Sequence, residues 1–361
     1  MTVHVVLAGG GTAGHVEPLL NTADALRRRD PALGISVLGT AEGLESRLVP
    51  LRGYDLSIVP KVPLPRRPSA DLLRVPGKLR AAVKAARRHL DEVDASAVVG
   101  FGGYVSVPAY LAARRRGTPV VVHEANARAG IANRLGARWA TAVAAAVEGS
   151  GLRNAKVIGI PLRQSIAHLD RAARRAEARA SFGLGDGPVL LVTGGSQGAR
   201  RINGAVVDAA PALARAGVQV LQVTGPKNVD DVRDALGDVP PTHHVLDYVD
   251  GMDSAYAASD LVLCRAGAMT CAELAAVGLP AVYVPLPIGN GEQALNARPT
   301  VDAGGGLMVD DAQLDAAWIE SRLVPLALDP ARLEAMSQAA ARLGHPGADE
   351  ELVDLVLAAA R

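Results

Sequence analysis

The stretch HVVLAGGGTAGHVEP, His4 to Pro18, runs a short apolar segment into four glycines within six residues and then a histidine. Its centre, Gly10-Gly11-Thr12-Ala13-Gly14, returns 184 positions later as Gly194-Gly195-Ser196-Gln197-Gly198. Each copy follows an apolar run and opens a segment of helical period, EPLLNTADALRRR in the first and RRINGAVVDAAPALARAG in the second. Strand, glycine turn and helix start make the first βα unit of a doubly wound sheet, so two copies predict two such sheets.

The rest of the chain supports that reading. In the first half the apolar runs are VHVVLA, ISVL, AVVGF, PVVVH and TAVAAA; in the second they are PVLLVTG, VQVLQVTG, HHVLDYV, DLVLC, PAVYVP and GLMV. Continuous Val/Leu/Ile runs indicate strands covered on both faces, and their alternation with helical segments indicates parallel βαβ units. The fold class is therefore α/β, with two doubly wound Rossmann-like domains. Both glycine loops are expected at the carboxyl ends of their strands, facing a central cleft. The boundary is expected near Ile160-Pro161, giving domains of residues 1–161 and 162–345.

Composition narrows the function. A hydrophobic content of 49% with 21% charge describes a globular chain. No basic n-region precedes the first strand and no long apolar segment interrupts the chain, so neither a signal peptide nor a membrane span is expected. Cys264 and Cys271 have no metal or redox spacing, and a reduced, cytosolic compartment suits them. The net charge of +1 hides +10 over residues 1–170 and −9 over the remainder. That asymmetry suggests domains with different partners. Nucleic acid is not among them, since no reading motif is present and aromatics are 3% of the chain.

Gly9 to Gly14 satisfies G-x-G-x-x-G, but a nicotinamide site also needs an acid ending the second strand. ISVL ends instead in Gly39-Thr40, with Glu42 late. No Lys-Ser/Thr follows either loop, which excludes a Walker-type site. What survives is anion or sugar binding at a helix N-terminus, against the plainer reading of two tight turns. His15, just inside a helix start, has its charged form disfavoured by the dipole. A neutral imidazole there suits a general base, although a lone histidine at a helix start is commonly structural. In LVLCRAGAMTCAELAAVGLPAVYVPLP, Leu261 to Pro287, Thr270-Cys271-Ala272-Glu273 reads either as a capping box or as a turn presenting Glu273 to ribose hydroxyls.

Taken together, GGGTAGH, FGGYVSVP (Phe101–Pro108), HEAN (His123–Asn126), GIPLR (Gly159–Arg163), GGSQGA (Gly194–Ala199), CRAGAMTCAE and EQALNA (Glu292–Ala297) resemble, in order and spacing, the peptidoglycan N-acetylglucosaminyltransferases. The resemblance covers nearly the whole chain. It implies a two-domain GT-B fold and inverting transfer of N-acetylglucosamine from UDP-N-acetylglucosamine to the 4-hydroxyl of N-acetylmuramoyl pentapeptide on undecaprenyl diphosphate, lipid I to lipid II. With no Asp-x-Asp motif, no metal or cofactor is implied.

The resemblance further implies that Thr12, Ala13 and Gly14 lie against the donor sugar and acceptor diphosphate, that His15 is the base, and that Asn126 reaches the sugar. Arg163 and Ser196 would hold the diphosphate of UDP and Val249 would meet uracil through its backbone. Ala268, Met269, Thr270, Cys271 and Ala272 would line the nucleotide, Glu273 would bind ribose, and Gln293 would bind a sugar hydroxyl. Domain closure would belong to the cycle. A C-terminal helix over 346–361 would return to the first domain, the acceptor- and membrane-facing one. Three positions depart from the family pattern: Ala13 where a glycine is common, Ala125 in HEAN for the commoner HEQN, and Glu292 where a glutamine is common.

A lipid-linked acceptor implies a peripheral protein on the cytoplasmic side of the cell membrane, with other proteins of cell-wall synthesis as further partners. Lys61 to His89 carries nine Lys/Arg and one acid, Asp71, interleaved with Leu72, Leu73, Val75, Leu79 and Val83 and split by Pro76. That pattern suits an anionic leaflet; the alternative is a solvated helix whose apolar stripe lies in the core. The neighbouring readings are another UDP-N-acetylglucosamine-dependent GT-B enzyme such as a 2-epimerase, a nicotinamide oxidoreductase, and a non-catalytic nucleotide-sugar-binding protein.

Overall fold

The computed structural model describes residues 3–62, 75–195, 198–237, 240–288 and 291–361. The chain divides into two compact units, Met1–Leu162 with Gly347–Arg361, and Arg163–Pro346.

The first unit holds β1 (His4–Ala8), β2 (Gly34–Gly39), β3 (Asp55–Ile58), β4 (Ala97–Gly100), β5 (Val120–Glu124), β6 (Ala142–Ala145) and β7 (Lys156–Val157). The second holds β8 (Val189–Thr193), β9 (Gln219–Val223), β10 (His243–Leu246), β11 (Leu261–Cys264), β12 (Ala281–Tyr283) and β13 (Gly306–Met308). The sheet orders are β3-β2-β1-β4-β5-β6-β7 and β10-β9-β8-β11-β12-β13. Both sheets are parallel, as in Val5 opposite Ile35 and Ala97, and Leu191 opposite Leu221 and Val262. In each, strand order reverses between the first strand and the fourth, which places a topological switch point at the ends of β1/β4 and of β8/β11.

Burial explains the unbroken apolar runs. Val5, Leu7, Val37, Val99 and Val121 pack on one face of the first sheet, while Val6, Ala8, Leu38, Val98 and Val122 pack on the other. Each strand thus needs apolar residues at successive positions rather than alternate ones. On the first face lies the helix Ala348–Ala359, whose Leu352, Val353 and Val356 are fully buried. Arg28 pairs with Asp349 at 2.5 Å, and Arg29 pairs with Glu350 and Asp354 at 2.7 Å. In the second unit Leu190, Val192, Ile202, Val206, Leu263, Val282 and Met336 form the larger core layer.

Two expectations need correction, and one strand goes unpredicted. The strand β3 was not signalled, because it is an edge strand beginning on exposed Asp55 with only partial burial. The helix of the CRAGAMT segment begins at Ala268, three residues before a cap at Thr270 would start it. Its N-cap is Gly267, so Thr270 sits within the first turn and the capping box does not form. Finally, the basic segment gives a helix, Val75–Glu92, whose apolar stripe is not a lipid-facing one. Val83 is buried with Ala86 and Leu90, and Leu79 packs partly against the same core. Lys78, Arg80, Lys84, Arg87 and Arg88 remain exposed on the opposite side, and Leu72 and Leu73 lie outside the described residues.

Candidate active site

In the first unit, β1 delivers Gly9–Thr12 to the start of the helix Ala13–Arg29. Thr12 occupies the N-cap, yet its hydroxyl does not cap the helix; it lies 3.1 Å from Nδ1 of His15. The first-turn N–H groups are therefore left without a side-chain cap. Pro18 lies inside the helix and has no N–H, so the carbonyl of Gly14 receives no helical donor from position 18.

His15 is held from both sides. Its Nδ1 is 3.2 Å from the carbonyl oxygen of Gly10. A carbonyl only accepts, so Nδ1 carries the proton and Nε2 is the basic nitrogen. Nε2 has no hydrogen bond among the described residues. The FGGY turn after β4 packs on the ring: a Cβ at Gly103, where φ is +78°, would lie 2.5 Å from the Gly10 oxygen and 3.3 Å from Nδ1. At this position only glycine permits both the backbone conformation and the approach.

The remaining first-unit motifs interlock with that turn. Phe101 donates its N–H to the Ala8 carbonyl, and its ring lies 5.8 Å from that of His123, tilted by 44°. His123, fully buried, donates through Nε2 to the Gly159 carbonyl at 2.9 Å, and burial lowers its basicity, so it is a neutral structural group. Asn21 donates to the Pro161 carbonyl, tying GIPLR to the first helix.

Two carboxylates missed in the sequence organise these loops. Glu45, fully buried on the helix Glu45–Leu51, accepts from Gly11 N–H at 3.0 Å and from the Thr40 N–H and hydroxyl. Burial alone would raise its carboxyl, but the hydrogen bonds from Gly11, its own N–H and Thr40 outweigh it and hold the group below its ordinary range. The acid sought after β2 thus exists three residues beyond Glu42, and it binds the glycine loop itself. Glu124, at the end of β5, accepts from the backbone and side chain of Asn126, from Gly130 N–H and from Asn133, which in turn accepts from Tyr110. Asn126 is accordingly oriented by a buried network, while Ala125 is buried beside it.

In the second unit, Gly198 (φ +71°) lets the loop after β8 pass the Thr224 carbonyl, where a Cβ would stand 1.8 Å away. Ser196 lies outside the described residues. Across the switch point the helix Ala268–Ala276 starts at Gly267 with no side-chain cap, as the first unit's does. Ala268, Met269, Thr270, Ala272 and Glu273 are half-buried along its first turns. Cys271 differs: its side chain is buried and burial pushes its thiol up to about 12, so it turns inward and offers the surface only backbone.

Glu273 accepts from the Tyr256 hydroxyl at 2.7 Å. Gln293, in the first turn of Glu292–Asp302, accepts through Oε1 from Leu286 N–H at 2.9 Å, which leaves its NH₂ as the outward donor. Val249 is buried just ahead of the helix Met252–Ala258. Arg163, exposed, opens the second unit at the N-cap of Gln164–Ala167. Within their units, the residues Thr12–His15 and Ala268–Glu273 thus gather at the switch points.

Comparison with known proteins shows the family and the fold. Residues 5–145 match the glycosyltransferase family 28 N-terminal domain and residues 189–352 match the family's C-terminal domain. A UDP-N-acetylglucosamine–N-acetylmuramyl-(pentapeptide) pyrophosphoryl-undecaprenol N-acetylglucosamine transferase from Streptomyces avermitilis is 60% identical, covering 98% of each chain. The crystal structure of MurG from Acinetobacter baumannii superposes with a TM-score of 0.80 at 30% identity, covering 99% of both chains. A UDP-GlcNAc 2-epimerase from Neisseria meningitidis shares the fold, with a TM-score of 0.68 at 17% identity over 99% of this chain and 100% of that one.

Proposed function

We infer the reaction from one premise, that the chain belongs to glycosyltransferase family 28 and, within it, to the N-acetylmuramyl-(pentapeptide) pyrophosphoryl-undecaprenol N-acetylglucosamine transferases. The chain transfers N-acetylglucosamine from UDP-N-acetylglucosamine to the 4-hydroxyl of the undecaprenyl diphosphate-linked N-acetylmuramoyl pentapeptide, converting lipid I to lipid II in peptidoglycan synthesis. The likeness to the epimerase is one of fold alone.

The observation that carries the chemical reading is His15, with Nδ1 committed to Gly10 and Nε2 basic beside the glycine loop. Nε2 takes the proton from the acceptor hydroxyl as that oxygen attacks the anomeric carbon from the face opposite UDP, so an α-linked donor yields a β-linked product. Charge grows on the departing diphosphate, where the uncapped N–H groups at Gly267–Ala268 and the guanidinium of Arg163 favour it, with Ser196 adding a hydroxyl. Glu273 holds ribose, Val249 the uracil through its backbone, and Ala268–Ala272 the nucleotide, Cys271 through its backbone. Gln293 donates to a sugar hydroxyl through its NH₂. Thr12, Ala13 and Gly14 face the donor sugar and acceptor diphosphate, and Asn126 meets the sugar.

Among the described residues no helix is long and apolar enough to cross a membrane. We propose that the protein acts peripherally at the cytoplasmic face of the membrane, with the exposed Lys78, Arg80, Lys84, Arg87 and Arg88 towards anionic lipid. Arg87 and Arg88 also pair loosely with Asp91 and Glu92 at 3.7 Å. Each basic charge near such a surface contributes about 1 kcal/mol, and binding falls with salt.

The test is UDP release from UDP-N-acetylglucosamine with and without a lipid I analogue. Release that requires the acceptor supports transfer; equal release without it overturns the reading.

A further inference from the structure

The Glu273 carboxylate does not stand alone. Tyr256, 2% exposed, donates its hydroxyl to Oε2 at 2.7 Å from the helix Met252–Ala258. A carboxylate can rotate about its last bond, and one hydrogen bond from a fully packed phenol fixes that rotation. The two helices are themselves locked together. Arg171 donates from Nε to the Tyr256 carbonyl, from Nη2 to the Ser259 carbonyl at 2.7 Å, and from Nη1 to the Gly278 carbonyl at 2.9 Å, just beyond the end of the Glu273 helix. Burial and the neighbouring Glu273 charge keep the Tyr256 hydroxyl protonated well beyond its ordinary range, so it remains a donor throughout working pH. Val249 lies a few residues ahead of Tyr256 on the same connection.

We propose that Tyr256 is a positioning residue for the donor nucleotide: its hydroxyl aims the Glu273 carboxylate at the ribose hydroxyls and thereby sets the preference for a ribonucleotide donor over its 2′-deoxy counterpart. This rests on the assignment of Glu273 to ribose made above. The connection from Val249 to Tyr256 then joins base and ribose recognition along one segment.

The test compares kcat and KM for UDP-N-acetylglucosamine and its 2′-deoxyuridine analogue in wild type, Tyr256→Phe and Glu273→Ala. In Tyr256→Phe the KM for the ribo donor is expected to rise about tenfold, the loss of one hydrogen bond to a charged group, with kcat little changed. The KM for the deoxy donor moves much less, so discrimination falls. Because discrimination is a ratio measured on the same molecules, a lower folded fraction cancels from it. Loss of discrimination in both variants supports the proposal. Discrimination lost in Glu273→Ala but intact in Tyr256→Phe overturns the positioning role and leaves the ribose assignment standing. Discrimination intact in both overturns the two together.

Discussion

Nδ1 of His15 lies 3.2 Å from the carbonyl oxygen of Gly10. That contact decides the tautomer and, with it, which nitrogen can act on a substrate. His15→Ala is expected to lower kcat by about 10²–10⁴, the range for a lost general base, while the Kd for UDP-N-acetylglucosamine changes little. Near-normal turnover in a folded variant would remove His15 from the chemistry.

Gly103→Ala tests the packing behind that imidazole. The new methyl would sit 2.5 Å from the Gly10 oxygen, with φ at +78°. Displacing the loop by about 1 Å is expected to cost roughly 10²-fold in kcat. Gly117→Ala is the control: its φ is +80° but no described residue lies within 4 Å of the added methyl. It carries backbone strain without the clash, so it should lower stability and keep turnover. Equal losses of turnover in both would contradict the packing account.

Glu45 gives a pH signature. Its folded carboxyl titrates below the ordinary value of 4.5, because hydrogen bonds from Gly11 and Thr40 outweigh the opposing effect of burial. Its contribution to stability is therefore fully present above pH 4.5 and is lost as pH falls through the folded value. Urea midpoints of wild type and Glu45→Gln, followed through Trp139 in a Trp318→Phe background, should differ most near pH 7 and converge at lower pH. A gap that widens on acidification would contradict the assigned hydrogen bonds.

The returning helix Ala348–Ala359 is part of the first unit's core rather than a tail. Leu352→Ala removes a fully buried side chain and is expected to cost about 2–5 kcal/mol. The Trp139 unfolding transition should move to lower urea; an unchanged transition would show the helix to be dispensable to that core.

The doubly wound sheets were legible because each central strand is buried on both faces, which writes itself as an unbroken apolar run. The edge strand β3 was not, since Asp55 and its partly exposed neighbours carry no such run. Thr270 and Glu273 have the spacing of a capping box, but the helix is capped at Gly267, three residues earlier, and Glu273 bonds to Tyr256 instead. Tyr256 lies in an unremarkable SAYAAS segment, and Glu45 and Glu124 act through backbone N–H groups that no side-chain motif records. In Lys61–His89 the charge pattern was plain, yet which way Leu79 and Val83 faced depended on the core they met.

The central claim is tested most directly by following labelled N-acetylglucosamine from UDP into a lipid I analogue and determining the new glycosidic linkage. The account predicts one β-1,4-linked product per UDP released. Label recovered as free or epimerised sugar, or as an α-linked product, would contradict it.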